Sequence, residues 1–145
     1  MSSSSNKGTG NTGGAKRIAV IGFGSPLMKD EGVGVFLLKR LETRASEFPG
    51  CEFHDLGTAG ARILHVVAGR DRAVVIDCAF MGEVPGSIRR FAPDDVTSAK
   101  VTLPAAAHAP DLLETLRLSR ALGQAPAEVV IFGIQPTQVA PGEVL

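Results

Sequence analysis

Three separate stretches of the 145-residue chain carry side chains whose types suit metal binding. Asp30 and Glu31 are adjacent, Asp77 ends an apolar run, and His108 precedes a leucine-rich segment. Two carboxylates and an imidazole can bind a divalent ion such as nickel or zinc and leave positions open for water or another ligand. They form one site only if the fold brings the three stretches together.

Each of these side chains also has a structural interpretation. Asp30 can cap a helix, with Glu31 in its first turn, because the positive end of a helix dipole favours carboxylates. A single histidine is usually structural, and His54, near another strand end, could replace His108 as the ligand. For Asp77 a functional role is favoured over a structural one, because a carboxylate at the end of a buried strand is costly unless it is hydrogen-bonded, paired or bound to metal.

The stretch from Arg17 to Phe36 predicts a buried strand, a tight loop and the beginning of a helix. Residues 18–21 form an apolar run rich in β-branched side chains, which is typical of a strand covered on both faces. Gly22 and Gly24 allow the chain to turn sharply after it. A nucleotide-binding glycine fingerprint would need a third glycine where Leu27 stands, and no Lys-Ser/Thr pair follows, so a P-loop is excluded.

Apolar side chains at helical spacing predict a helix from about Glu31 to Ala45, ending before Pro49. Gly34 inside this helix costs about 1 kcal/mol relative to alanine, and we interpret it as a point of close packing against the first strand. A second strand is predicted over residues 51–56.

A second helix is predicted to begin after Thr58, which can cap it, and to stop near Gly69. His65 lies inside that helix, where we expect a packing or surface role. The continuous apolar run within residues 72–80 is the clearest indication of a buried strand in the chain, and Asp77 interrupts it.

The remaining chain predicts an antiparallel edge strand over residues 86–91 with exposed Arg89 and Arg90, a helix from Pro110, and a last buried strand over residues 129–134. This alternation predicts a three-layer α/β fold, in which helices cover both faces of a mainly parallel, twisted sheet. Such sheets bind ligands at the carboxyl ends of their strands, where the candidate carboxylates would lie.

The chain is expected to hold one domain. Residues 1–16 are rich in serine, glycine, asparagine and threonine and predict a disordered tail, so the α/β domain is assigned to residues 17–145. A helix covering the sheet is expected after the last strand. The chain stops at Leu145 without one, which predicts that the domain is incomplete at its carboxyl end.

The composition of the chain limits which classes of partner it can bind. Fifteen Lys+Arg balance fifteen Asp+Glu, so there is no global attraction to nucleic acid or to an anionic membrane. Cys51 and Cys78 have no Cys-x-x-Cys spacing, which suits core positions in a reducing compartment. No apolar run reaches the length of a membrane span. We therefore expect a soluble, cytoplasmic, monomeric protein that recognises its partner locally.

Five motifs, taken together, resemble the [NiFe]-hydrogenase maturation endopeptidases. These are small proteases that trim the carboxyl-terminal extension from the hydrogenase large subunit after nickel insertion. The motifs are residues 22–34, residues 55–60, the strand ending at Asp77, His108 before a leucine-rich helix, and residues 133–136. Their order and spacing, rather than any single motif, make the resemblance specific.

The resemblance implies roles for particular residues. Glu31, Asp77 and His108 match the metal-contacting positions of the family. The metal is nickel already held by the substrate, so neither a resident metal nor an organic cofactor is expected. The implied partner is the large-subunit precursor.

The second motif is linked by the resemblance to substrate engagement, through Asp55 with Gly57, Thr58 and Gly60. Leu56 replaces a common glycine there. In the first motif, Ser25 stands where the family usually has asparagine.

No spacing of Ser, His and Asp or of Cys and His identifies a catalytic nucleophile. The function implied is therefore nickel-dependent removal of the precursor's extension, with the metal serving recognition, catalysis or both. Two other functions remain open at this point. One is a non-hydrolytic chaperone that binds the nickel-loaded large subunit, and the other is a nucleotide-dependent α/β enzyme.

Overall fold

The computed structural model describes residues 16–25, 27, 29–59, 62–98 and 109–137, with only the main chain described for Glu31 and for residues 97–98 and 109–111. Within these ranges the strands are β1 (Ile18–Phe23), β2 (Cys51–Gly57), β3 (Arg72–Cys78), β4 (Ile88–Phe91) and β5 (Glu128–Ile134). The helices are α1 (Val33–Glu42), α2 (Ile63–Val67), α3 (Asp95–Ser98) and α4 (Ala109–Ala121). Two 3₁₀ turns, η1 (Lys29–Gly32) and η2 (Ala45–Glu47), flank α1.

The five strands form one sheet in the order β2-β1-β3-β5-β4. All pairs are parallel except β4 with β5, which are antiparallel. This confirms the predicted mainly parallel sheet with one antiparallel edge strand, on which Arg89 and Arg90 are exposed.

Helices lie on both faces of the sheet, as predicted. Side chains of α2 and α4 pack with alternate residues of β1, β3 and β5 in one core cluster, which contains Ile21, Val75 and Ile131. The other face contributes Val20 and Ile76 to a second cluster beneath α1. The central strands are apolar on both sides because both faces are covered.

Gly34 explains how closely α1 approaches the sheet. A Cβ atom built there would lie less than 3.0 Å from the carbonyl oxygens of Phe23 and Ile76. Gly22 in β1 is as crowded, since its Cβ would lie 2.8 Å from the Gly34 oxygen. The predicted close packing against β1 is confirmed, and it extends to β3.

Several element boundaries differ from the predictions. The first helix begins at Val33, because η1 precedes it, and ends at Glu42. Thr58 does not cap α2, which begins only at Ile63 and has Arg62 at its N-cap. The short helix α3 was not predicted, because it is only one turn long.

Part of the sheet beyond α1 lines an apolar groove of about 510 Å³. The lining side chains are Val20, Leu37, Leu41, Phe48, Cys51, Phe53, Val74, Ile76, Ile88, Phe132 and Ile134. The predicted tail, except for Lys16, lies outside the described residues. In the described part of the chain, no helix has both the length and the apolar character needed to cross a bilayer.

We expect Gly34→Ala to destabilise the fold. The added methyl group meets main-chain atoms that cannot move aside, and such overpacking costs about 1–3 kcal/mol even after the helix propensity of alanine is gained. Urea unfolding measures the loss. Glu42→Ala on the exposed side of the same helix is the control and should change stability by less than about 0.5 kcal/mol. Equal stability of the two variants would contradict the packing role of Gly34.

Candidate functional site

The strands β1, β2, β3 and β5 all end at the same edge of the sheet, here called the carboxyl edge. Gly22 of β1 is in register with Asp55 of β2 and Ile76 of β3. Asp77 of β3 is in register with Gly133 of β5. The candidate residues on these strands therefore end up at one edge, as parallel pairing requires.

Asp77 is the buried carboxylate of this edge. It lies in the central part of the sheet and is 1% exposed. Its Oδ1 atom accepts a hydrogen bond from the N–H of Cys78 at 2.8 Å. The neighbouring Cys78 is buried, which agrees with its prediction as a core residue.

The turn η1 brings the second candidate stretch to the same strand. It packs against β3, so the main chain of Glu31 lies close to the strand that carries Asp77. Lys29, at the start of η1, has a φ of 45° in the left-handed region, which costs a lysine about 1 kcal/mol or more. Such strain is typical of functional loops and fixes how the chain enters α1.

The prediction that Asp30 caps α1 is wrong. The N-cap of α1 is Gly32, without a side-chain hydrogen bond. Because η1 separates Asp30 from the helix, its Oδ2 atom instead accepts a hydrogen bond from the N–H of Thr137 at 2.8 Å. This bond joins the loop after β1 to the chain that follows β5.

The end of β2 carries the second motif. Asp55 is exposed, and its Oδ1 atom accepts a hydrogen bond from the N–H of Gly57 at 2.9 Å. Leu56 forms a bulge in the β1–β2 pairing and is 3% exposed. The positive φ of this loop, 51°, is at Gly57 and not at Leu56. Leucine therefore fits at position 56, where the family commonly has glycine.

The structure therefore brings the main chain of Glu31 close to the strand of Asp77 and places Asp55 at the same edge, with β1 between β2 and β3. Thr58 is exposed beside Asp55. His108 and Gly60 lie outside the described residues. Among the side chains that are described, no three of His, Cys, Asp or Glu form a group able to hold a metal ion.

A cleft of about 330 Å³ opens at this edge, between η1 and the loop that follows β3. Gln135 lies in this cleft and binds that loop, a contact that the motif of residues 133–136 did not reveal. Its place in that motif, directly after a buried strand, was the available signal.

His54, the alternative ligand, belongs to a different cluster. Its Nε2 atom lies 3.8 Å from Glu52 Oε2, an ion pair when the histidine is protonated. The same oxygen lies 2.5 Å from Arg70 Nε, and Arg17 approaches the other oxygen at 3.6 Å. Partial burial raises the pKa of Glu52, but Arg70, with help from Arg17 and His54, outweighs it and holds that pKa below its ordinary value.

Known proteins resemble this chain in sequence. Residues 35–144 match the family model of hydrogenase maturation proteases. The hydrogenase expression/formation protein HoxM of Cupriavidus necator is 30% identical over 122 residues, which are 84% of this chain and 60% of that protein. The hydrogenase 2 maturation protease of Escherichia coli is 29% identical over 125 residues, 86% of this chain and 76% of that protein.

Solved structures resemble it in fold. The hydrogenase maturating endopeptidase HybD of Escherichia coli superposes with a TM-score of 0.75 at 28% identity, over 89% of this chain and 80% of that one. The [NiFe] hydrogenase maturation protease HybD of Thermococcus kodakarensis gives a TM-score of 0.70 at 23% identity over 89% and 86%, which supports the fold. The chain spans between 55% and 61% of the length of the first curated relatives it matches.

We expect the Glu52 ion pairs to stabilise the fold at neutral pH and to lose this effect in acid. Because the folded pKa of Glu52 is lowered, its contribution is present above the unfolded pKa, about 4.3, and is lost as pH falls through the folded pKa. The Glu52 side chain is 41% exposed, so solvent screening limits this contribution to about 1 kcal/mol.

Urea unfolding of wild type and Glu52→Gln, from pH 7 down to pH 3, measures this contribution. The difference between the two proteins should shrink as the pH falls. A difference that stays constant across this range would contradict the assignment. Glu114→Gln, in an exposed pair on α4, is the control and should show a smaller difference at pH 7.

Proposed function

Because the chain belongs to the hydrogenase maturation protease family, we propose that it is an endopeptidase that removes the carboxyl-terminal extension of a nickel-loaded hydrogenase large-subunit precursor. The match over residues 35–144 confirms the family expected from the sequence motifs. Within the structure, the observation that carries the proposal is the buried carboxylate of Asp77 at the carboxyl edge, next to η1.

The precursor's nickel is the recognition element in this proposal. Glu31, Asp77 and His108 supply oxygen and nitrogen ligands to it, which are donors that nickel accepts. The packing of η1 against β3 supports a pairing of Glu31 with Asp77. The hydrogen bond from Cys78 N–H orients the Asp77 carboxylate before the precursor arrives, which lowers the cost of binding.

The loop at the end of β2 engages the polypeptide of the precursor. Asp55 and Thr58 are exposed there. The turn is fixed by the Asp55–Gly57 hydrogen bond and by a second bond from the N–H of Gly24 to the Gly57 oxygen at 2.8 Å. A fixed, exposed turn beside the metal-binding carboxylates suits recognition of a chain that enters the site.

Asp77→Asn should abolish cleavage while leaving the fold intact. Asparagine can still accept the Cys78 N–H bond but lacks the negative charge for nickel. The rate should fall by at least about 100-fold, the upper end of the effect for residues that only support a metal ligand. Mass measurement of nickel-loaded and nickel-free precursor after incubation provides the assay, and only the loaded form should be shortened.

Asp94→Asn is the matched control, since Asp94 is an exposed carboxylate outside the site, in the turn after β4. It should cleave at the wild-type rate. Cleavage by Asp77→Asn at that rate would contradict the role of Asp77. If wild type bound loaded precursor tightly and left it uncut, the protein would be a chaperone instead.

Cleavage should also weaken as pH falls through about 6.5, the ordinary pKa of histidine, because only neutral imidazole binds a metal. A pH–rate profile with loaded precursor measures this, and the nickel content of the precursor is checked at each pH. Full activity at pH 5.5 would rule out His108 as a required ligand. His65→Gln is the control and should keep the wild-type profile, because His65 is exposed on α2.

A further inference from the structure

The loop between β3 and β4, residues 79–87, begins two residues after Asp77. It carries two exposed apolar side chains, Phe80 at 39% and Val84 at 75% exposure. A loop between two strands keeps a single conformation only if its main-chain N–H and C=O groups have hydrogen-bond partners. Several of those partners are provided by one residue, Gln135.

Gln135 binds both halves of the loop. Its main-chain N–H donates to the Ser87 oxygen, and its carbonyl accepts from the Gly86 N–H, each at 2.9 Å. Its side-chain Oε1 accepts from the N–H groups of Met81 at 2.7 Å and Glu83 at 3.3 Å. The main chain thus fixes the end of the loop, and the side chain fixes its beginning.

Gly133 lets the first residue of the loop rest directly on β5. A Cβ atom at Gly133 would lie 2.7 Å from the Ala79 Cβ and 3.1 Å from the Phe91 Cε2. The Ala79 N–H donates to the Ile134 oxygen at 2.9 Å. The loop is therefore tied to β5 from its first residue, and the Gln135 side chain holds the next turn.

This loop forms one wall of the 330 Å³ cleft at the carboxyl edge. The lining residues are Asp30 and Val33 on one side, Pro85 and Gly86 on the other, and residues 134–137 between them. The Asp30–Thr137 hydrogen bond holds the first side, as the Gln135 side chain helps to hold the second. The main chain of Gln135 holds Pro85 and Gly86 themselves, and its side chain holds the turn that leads to them.

We propose that Gln135 is a positioning residue for precursor binding. Its side-chain amide fixes residues 81–83, the turn that leads into the wall formed by Pro85 and Gly86, against which an extended segment of the precursor lies in the cleft. The cleft offers apolar surface from Val33 and Ile134 together with polar groups from Asp30 and Gln135, which suits a polypeptide. The inference rests on the proposed function, since the polypeptide is that of the precursor.

Two variants of the full chain separate positioning from stability. Gln135→Met keeps the length of the side chain but removes the acceptor, whereas Gln135→Glu keeps acceptor oxygens. With loaded precursor, the Met variant should raise KM about tenfold with little change in kcat, because the loosened wall weakens ground-state and transition-state binding equally. The Glu variant should stay within about threefold of wild type.

A Met variant with wild-type KM, or a Glu variant impaired as much as the Met variant, would overturn the proposal. Thermal midpoints of both variants, measured alongside, separate loss of folding from loss of positioning. If both variants had a lower thermal midpoint and a correspondingly higher KM, loss of folding would explain the result and the proposal would also be overturned.

Amide hydrogen exchange tests the same contact without cleavage. Exchange at Met81 and Glu83 should be about tenfold faster in the Met variant and unchanged in the Glu variant. Equal exchange in the Met variant and wild type would overturn the inference. If wild type leaves loaded precursor uncut, the proposed function fails, while exchange and the Kd for that precursor still test Gln135.

Discussion

The contact between Gly34 of α1 and the main chain of β1 and β3 determines where the rest of the site lies. With no side chain between them, the helix rests on the carbonyl oxygens of Phe23 and Ile76. The turn η1 immediately precedes α1 and must follow it toward the sheet. A larger side chain at Gly22 or Gly34 would lift the helix, and with it the main chain of Glu31, away from β3.

The burial of Asp77 is the second constraint. Burying an ion costs several kcal/mol and a hydrogen bond to a charged group offsets about 1.5–3 kcal/mol, so the buried carboxylate depends on its partners, among them the N–H of Cys78. A structural role alone would be served as well by an apolar residue in a strand of this kind. The proposed ligation of the precursor's nickel is a role that would require a carboxylate at this position.

The sheet could be predicted from the sequence because each strand is an apolar run bounded by turn residues. The antiparallel edge strand was predictable because no helix lies between it and the preceding strand, and a parallel connection would need one. The start of α1 could not be predicted, because η1 precedes it and begins with Lys29 in the left-handed backbone conformation. The spacing of apolar residues does not reveal that conformation. The contacts of Asp30 and Gln135 were hidden for another reason, since their partners lie 107 and 54 residues away.

The two edges of the sheet use carboxylates differently. Near the amino edge, Glu52 pairs with Arg70, and Glu128, the first residue of β5, pairs with Arg72. At the carboxyl edge, Asp30, Asp55 and Asp77 each accept a hydrogen bond from a main-chain N–H, and Asp55 also forms an ion pair with Lys39 at 3.9 Å.

A main-chain N–H carries only a partial charge, so it orients a carboxylate without neutralising it, whereas a guanidinium cancels the charge. The ion pairs near the amino edge therefore serve the fold. At the carboxyl edge, main-chain N–H groups orient Asp30, Asp55 and Asp77, so the positions of these carboxylates follow from the geometry of the backbone there.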